Sequence, residues 1–380
     1  MNNINLEIKK NTYTKIFKII QKEEPITKKE IEEKTGLSWG TVSQVTNDLI
    51  NLGYVSNNKE QKEGKGKNPF SLSVSLVNNL TLGIDINISG LTFIVSNLSY
   101  KIIEKQFFEL SYNEKSYILS NLIDITKRLI LKYNSISYIS ISMQGQVDRK
   151  NGISLSVDSF KNWKNVNICK LFEDEFKIKT YIYHDPDCFL NYHLSTNKNL
   201  MNLNRCALIK LDEGIGLSIY IDELTNVDDA NFTSEIGHNC VNIDGPICRC
   251  NKRGCLESYF SIPGLCDRYN EKYKANINSD TFIKLLNKEN KEGINILKEN
   301  AKYLGIGLSN FSNIFNPETI ILDGLLAKYY GFYQKELKNT IDNYSKNKVK
   351  LMAPDYINEA GALGSSIRTI NEHIKEILFK

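Results

Sequence analysis

The stretch that decides the reading is Glu235-Ile236-Gly237-His238, then Asp244-Gly245-Pro246-Ile247-Cys248-Arg249-Cys250, then Gly254-Cys255-Leu256-Glu257. It brings one imidazole and three thiols together within a short length of chain. His238, Cys248, Cys250 and Cys255 are a donor set that suits tetrahedral zinc. Gly245, Pro246 and Gly254 let the chain turn tightly around an ion. Cys240 is a further thiol close by and competes with His238 as a ligand. Buried, reduced thiols without a metal are the alternative. With four protein donors no position is left for an activated water, so the predicted Zn2+ is structural.

The rest of the composition sets the frame. A chain of 380 residues is too long for one ordinary core and suits an N-terminal module followed by larger domains. Its hydrophobic fraction of 41% and charged fraction of 24% are those of a packed globular protein. No apolar run is long enough to span a membrane, and residues 1–10 lack the apolar stretch of a secretory signal. A cytoplasmic protein without disulfides is therefore expected, and its eight cysteines must be buried, reactive or metal-bound. The net charge of +4 is unevenly distributed: residues 1–70 hold twelve Lys against nine Asp or Glu, an excess of three. Such a concentration hints at a polyanion.

Working back to that N-terminal segment, Tyr13, Ile16, Phe17, Ile19 and Ile20 recur at helical spacing. Thr27, with Glu30 three residues on, forms a capping box for a second helix that ends near Gly36. Ser38 caps a third, with Val42, Val45 and Leu49 inward and Gly53 placed to end it. Its outward positions are Trp39, Gly40, Thr41, Ser43, Gln44 and Asn47, with no carboxylate before Asp48. Short and polar groups of this kind suit phosphates and base edges. Two short strands, 54–56 and 70–72, flank a loop carrying Lys59, Lys62, Lys65 and Lys67 with Gly64 and Gly66, the composition of a wing. Ser38, Trp39, Thr41, Ser43, Gln44, Lys65 and Lys67 are the predicted DNA contacts. A plain solvated helix and a Lys-rich surface hairpin are the bland alternatives.

Beyond residue 75 the pattern is three strands, a helix and a strand (80–86, 91–96, 102–110, 116–133, 136–142), and a second such pattern starts at Arg205. Strands 207–211 and 217–221 flank Asp212-Glu213-Gly214-Ile215-Gly216. Duplicated halves of this type enclose a cleft. Leu297, Ala301, Leu304, Leu308, Phe311 and Phe315 predict a long helix stopped by Asn316-Pro317, and residues 361–378 read as a helical return to the first half.

These motifs resemble the ROK family of repressors and sugar kinases. Thr35-Gly36-Leu37-Ser38, Thr41-Val42-Ser43 and Gly64-Lys65-Gly66-Lys67 look like the operator-reading module of its repressors, and the His/Cys stretch looks like its signature. The likeness covers essentially the whole chain and is nearest to xylose-responsive repressors. It implies a winged helix-turn-helix (1–75) followed by a two-lobed actin-like, ribonuclease-H-like α/β sugar-kinase fold, with lobes 76–200 (joined by helix 361–380) and 201–360. It also implies a sugar site. Asp185, in Tyr183-His184-Asp185-Pro186, matches the kinase general base, and Glu235, His238 and Glu257 match further sugar contacts. A histidine bound to zinc through one ring nitrogen can offer its other N–H to a hydroxyl. Trp163 lies where the family has a tryptophan near the sugar, while Ser159 stands at a position usually held by asparagine.

The nucleotide half departs from the kinase pattern. Phosphates need bare backbone, yet Asp85 is followed by Ile86-Asn87-Ile88-Ser89-Gly90 without the paired glycines. Asp212 and Glu213 place carboxylates beside the second phosphate turn, and Asp323-Gly324 lacks a second glycine. The expectation is a non-enzymatic repressor of sugar-utilisation genes that binds operator DNA and a monosaccharide such as xylose or glucose. It is expected to bind no ATP and to act as a homodimer or dimer of dimers. An active sugar kinase with a DNA-binding head, and a repressor answering to a protein or phosphosugar, are the alternatives.

Overall fold

A computed structural model describes residues 2–59, 70–200, 203–221 and 234–379. The chain opens with α1 (Asn2–Glu23), β1 (Ile26–Thr27), α2 (Lys28–Thr35), α3 (Trp39–Asn51), β2 (Val55–Lys59) and β3 (Phe70–Val74). Local chemistry sets the helix boundaries. Thr27 Oγ1 accepts from the Glu30 N–H while the Glu30 carboxylate accepts from the Thr27 N–H at 2.8 Å, so the capping box forms as predicted. Gly36 leaves α2 in the left-handed region at φ 67°, where a residue with Cβ is disfavoured. Ser38 caps α3 through the Thr41 N–H. The three strands pair antiparallel in the order β1-β3-β2. Strand β1 was not expected: two residues are too short to show a period, and the pairing of Ile26 with Leu72 is a tertiary event.

Next come β4 (Leu80–Asn87), β5 (Gly90–Ser96), β6 (Ile102–Glu109), α4 (Lys115–Lys132) and β7 (Ile136–Met143). They are followed by β8 (Gln146–Asp148), β9 (Ile153–Ser156), β10 (Lys164–Val166), α5 (Ile168–Phe176), β11 (Lys179–His184) and α6 (Asp185–Thr196). The main sheet has the order β11-β7-β4-β5-β6, with β4, β7 and β11 parallel and the β4-β5-β6 meander antiparallel. Strands β4 and β5 are buried along nearly their whole length, which explains their almost continuous apolar runs. The small sheet β10-β9-β8 was not anticipated.

The second repeat is β12 (Arg205–Leu211), β13 (Ile215–Ile221), α7 (Glu257–Phe260), α8 (Ile262–Tyr273), α9 (Ser279–Asn287), α10 (Lys291–Phe315), β14 (Thr319–Asp323), α11 (Tyr330–Tyr344) and β15 (Lys350–Met352). Its sheet runs β13-β12-β14-β15. The predicted long helix is α10: Leu297, Ala301, Leu304 and Leu308 are fully buried, and Asn316 ends it in the left-handed region. Finally α12 (Ala360–Leu378) closes the chain.

Contacts divide the chain into 1–192 with 359–380, and 193–358. The winged helix therefore belongs to the first unit, and α12 is the reason. Ile370, Ile374, Ile377 and Leu378 share one buried cluster with Tyr13, Ile16, Phe17, Ile20 and Tyr54. The Tyr54 hydroxyl donates to the Ile377 carbonyl, and the rings of Tyr13 and Phe379 meet at 5.2 Å. Glu24, at the end of α1, accepts from Lys101 at 2.8 Å and from the Ser99 hydroxyl at 2.7 Å. The other end of α12 is seated against the main sheet and α6. A Cβ on Gly83 would lie 2.7 Å from Ser366 Oγ, and one on Gly364 would lie 2.6 Å from the Cys188 carbonyl carbon.

Candidate functional site

The outer face of α3 is open. Trp39 is 52% exposed, Ser38, Gly40, Gln44 and Asn47 are exposed, and Thr41 and Ser43 are half-buried. Val42, Val45, Thr46 and Leu49 hold the opposite face in the core. The α3 face carries no carboxylate in its first turn, and Asp48 is turned away, accepting from the Tyr13 hydroxyl. Asn47 accepts from Lys28 at 2.7 Å, which brings an α2 cation to the same surface. Lys65 and Lys67 of the expected wing lie outside the described residues.

In the second unit, the ligand atoms of His238, Cys248, Cys250 and Cys255 all lie within 4.8 Å of one another. Cys248 Sγ is 3.7 Å from His238 Nδ1, and Cys250 Sγ is 3.7 Å from Cys255 Sγ. A tetrahedron with metal–sulfur bonds of about 2.3 Å has edges of about 3.8 Å, so these separations are those of donors around one ion. Cys240 is exposed and stands outside the group, leaving His238 as the fourth donor. The chain is shaped for this by Gly254, whose φ of 74° lets residues 240 and 255 pair. Protonation follows the crowding. Burial and the hydrogen bond with Cys250 push the Cys255 thiol up to about 12. Burial also opposes ionisation of Cys250, but the Lys252 backbone N–H and the neighbouring thiols outweigh it and hold Cys250 below the ordinary thiol value. A bound cation would favour the thiolate form of the whole group.

The remaining predicted residues fall as follows. His238 turns Nδ1 toward the thiols and Nε2 toward Glu235 Oε2, 3.8 Å away. Glu257 begins α7 and lies against two backbone turns: a Cβ on Gly214 would be 2.9 Å from its Oε2, and one on Gly237 would be 3.2 Å away. Glu235, His238 and Glu257 are thus neighbours in the second unit. Asp185 is in the first unit, 6% exposed at the start of α6, with His184 Nε2 at 3.6 Å. Trp163 is also in the first unit and is 4% exposed. Its indole N–H donates to Ser154 Oγ at 2.8 Å, and its ring packs on Phe160. Ser159 Oγ accepts from Gln144 at 3.0 Å.

The turns that the resemblance assigns to phosphate binding carry contacts that sequence reasoning missed. After Asp85, the Asn87 side-chain oxygen accepts from the N–H groups of Ser89 (2.9 Å) and Gly90 (3.2 Å). Asp85 itself accepts from Ser142 at 2.5 Å and from Asn87 at 2.8 Å. In the second unit Asp212 accepts from the Leu325 N–H at 2.6 Å and pairs with Lys210 at 2.6 Å, while Asp323 accepts from the Gly324 N–H and from buried His193. Burial raises the Glu213 carboxyl above its usual range. Asn87 two residues before Ser89 was a legible turn signal; Asp212 with Leu325 was not, because the two are far apart in sequence.

A winged helix-turn-helix in front of a duplicated α/β fold with a His/Cys centre defines a class, and comparison with known proteins agrees. Residues 81–371 match the ROK family and residues 13–56 match a winged helix-turn-helix DNA-binding family. The chain belongs to the ROK family. It is similar to the xylose repressor of Bacillus spizizenii, 26% identical over 98% of this chain and 97% of that protein. Among solved structures it resembles a ROK family transcriptional regulator homologous to the E. coli MLC protein, with TM-score 0.77, 17% identity and coverage of 98% of this chain and 97% of that one. It also resembles a ROK hexokinase of Thermus thermophilus, with TM-score 0.61, 15% identity and coverage of 78% and 99%. Both structures share the sugar-kinase-like fold. Among the described residues no helix is long and apolar enough to cross a membrane.

Proposed function

We propose that this chain is a cytoplasmic DNA-binding repressor of sugar-utilisation genes whose operator affinity is set by a bound monosaccharide, with D-xylose the first candidate. The observation that carries the reading is the pairing of an open α3 face with nucleotide turns that are already satisfied. The N–H groups of Ser89, Gly90, Gly324 and Leu325 donate to side-chain oxygens of their own chain. A phosphate would have to displace each of them and approach the Asp212 carboxylate. The chain accordingly acts as a binder and not as a kinase.

The DNA contacts are Ser38, Trp39, Thr41, Ser43 and Gln44, with Lys65 and Lys67 on the wing. In the second unit the sugar contacts are Glu235, His238 and Glu257; in the first unit Asp185 and Trp163 stand at the positions the resemblance assigns to sugar recognition. Carboxylates accept from sugar hydroxyls, and the His238 Nε2–H is oriented by its other nitrogen. His238, Cys248, Cys250 and Cys255 hold a structural Zn2+, which cross-links the loop between residues 238 and 255. The repressor acts as a homodimer or dimer of dimers, because operators read by dimeric helix-turn-helix proteins come in paired half-sites.

The test is fluorescence anisotropy on operator DNA selected from a random-sequence library with the full chain, titrated with a panel of monosaccharides. A sugar-dependent change in operator affinity, lost in Asp185→Asn, is expected. Sugar-dependent ATP hydrolysis at millimolar nucleotide would favour the kinase alternative. Operator binding indifferent to every sugar would leave a repressor with another effector.

A further inference from the structure

Residues 183–187, the segment that carries Asp185, are held from one side by a partly buried network of charges centred on Arg368 of α12. Arg368 is 6% exposed. Its Nη1 lies 3.0 Å from Asp187 Oδ2 and its Nε 2.8 Å from Glu372 Oε1. Glu372 also binds Arg149 and receives the Tyr183 hydroxyl at 3.3 Å. The two guanidinium groups stand 5.1 Å and 4.8 Å from the centre of the fully buried Tyr183 ring. Thr369 donates to the Tyr183 hydroxyl at 3.0 Å. Two residues before Asp185 and two after it, the chain is therefore tied to α12.

The same helix holds the DNA-binding module. Ile370, Ile374 and Ile377 are interleaved with Arg368 and Glu372 along α12 and are buried against Tyr13, Phe17 and Tyr54. Tyr54 donates to the Ile377 carbonyl, and Lys375 pairs with Glu7 of α1 at 3.0 Å. Packing alone does not require ions here. Burying the Arg368 guanidinium carries a desolvation cost, and an apolar side chain of similar volume commonly replaces a buried charge without loss of stability. What a guanidinium supplies is direction: its fork fixes two carboxylates relative to each other.

We infer that Arg368 is a positioning residue that fixes the turn bearing Asp185 and, through Glu372 and α12, links the state of that turn to the seating of the winged helix. The inference rests on the sugar reading above only for the ligand that drives the link. Asp185 and Asp187 lie in the same first turn of α6, so a ligand that moves the first carboxylate moves the second against Arg368. Such a link has an effect only if the ligand prefers one arrangement of the turn.

The experiment uses the full chain and the variants Arg368→Met, Arg368→Lys and Asp187→Asn, each first checked for a cooperative melt. Hydrogen–deuterium exchange without any sugar is measured in peptides from the first turn of α6, from the last two turns of α12 and from α10. Arg368→Met should raise exchange at least tenfold in the first two regions together and leave α10 unchanged. Arg368→Lys, which keeps the charge but loses the fork, should do the same to a smaller extent. Operator affinity with and without D-xylose is then compared. In Arg368→Met the ratio of the two affinities should fall to within threefold of one, while the sugar-free affinity stays within threefold of wild type.

Exchange that rises at α6 but not in α12 overturns the inference, as does an undiminished xylose effect in a folded Arg368→Met. If Arg368→Met does not fold, the same exchange and affinity comparison in Asp187→Asn decides it. If exchange rises in both regions but no monosaccharide alters operator binding by the wild type, the sugar reading falls and the link stands.

Discussion

Gly254→Ala tests the proposed zinc site through its backbone and replaces none of the four candidate ligands. Gly254 sits at φ 74°, and a Cβ there would lie 2.7 Å from the Asn242 carbonyl carbon and closer still to its oxygen. Left-handed backbone costs a residue with Cβ about 1–2 kcal/mol, and overpacking against fixed backbone adds about 1–3 kcal/mol. The overlap cannot be relieved by a side-chain rotation. Gly254 N donates to Pro246 O and Gly254 O accepts from Val241 N, so any shift pulls on both ends of the ligand loop. The sum is about 2–5 kcal/mol against the closed loop, which lowers zinc affinity by roughly 30-fold to 4,000-fold at about 1.4 kcal/mol per tenfold. Competition with a chromophoric chelator at neutral pH measures the change. Gly331→Ala is the control: nothing lies within 4 Å of a Cβ at that helical position, so zinc affinity should stay at the wild-type value and α11 should gain about 0.5–1 kcal/mol. A Gly254→Ala protein that holds zinc within threefold of wild type would refute the reasoning.

Further outcomes follow from single contacts. Gln44→Ala, on the exposed face of α3, should weaken operator binding by roughly 1–3 kcal/mol while leaving the melting curve unchanged; an unaltered titration removes Gln44 from the contacts. Tyr54→Phe deletes the donor to the Ile377 carbonyl and should cost about 1–3 kcal/mol in urea unfolding. Thr27→Ala removes one half of the α2 capping box and should cost about 1 kcal/mol, read in the same assay. Acidification should release the metal as the cysteine donors take up protons; elemental analysis after dialysis across a pH series would show retention at low pH if the donor set were wrong.

Much of the architecture was legible because its causes are local. The capping box, the Gly36 stop and the four-and-three spacing of α10 are fixed by neighbours within a turn or two. The His/Cys stretch was legible for the same reason, since its ligands lie within one loop. Sequence left Cys240 and His238 as rivals; only the loop's path separated them, by placing the Cys240 thiol outside the cluster. Trp163 was singled out by position, but its burial and its bond to Ser154 depend on the β8-β9-β10 sheet, whose strands are too short to announce themselves.

The sequence by itself thus determined the classes of element, the three thiols of the His/Cys cluster and the absence of paired glycines after Asp85. Spacing and side-chain chemistry suffice for those. Only the tertiary structure decided that Asn87 and Asp212 accept from the N–H groups of Ser89, Gly90 and Leu325, that the winged helix is seated on α12, and that Arg368 joins Asp187 to Glu372. The physical reason is distance along the chain: Tyr54 meets Ile377, Asp212 meets Leu325 and Arg368 meets Asp187 across separations over which no periodicity survives. Such pairs form because burying a polar group or an ion without a partner is costly, and partners are chosen in space.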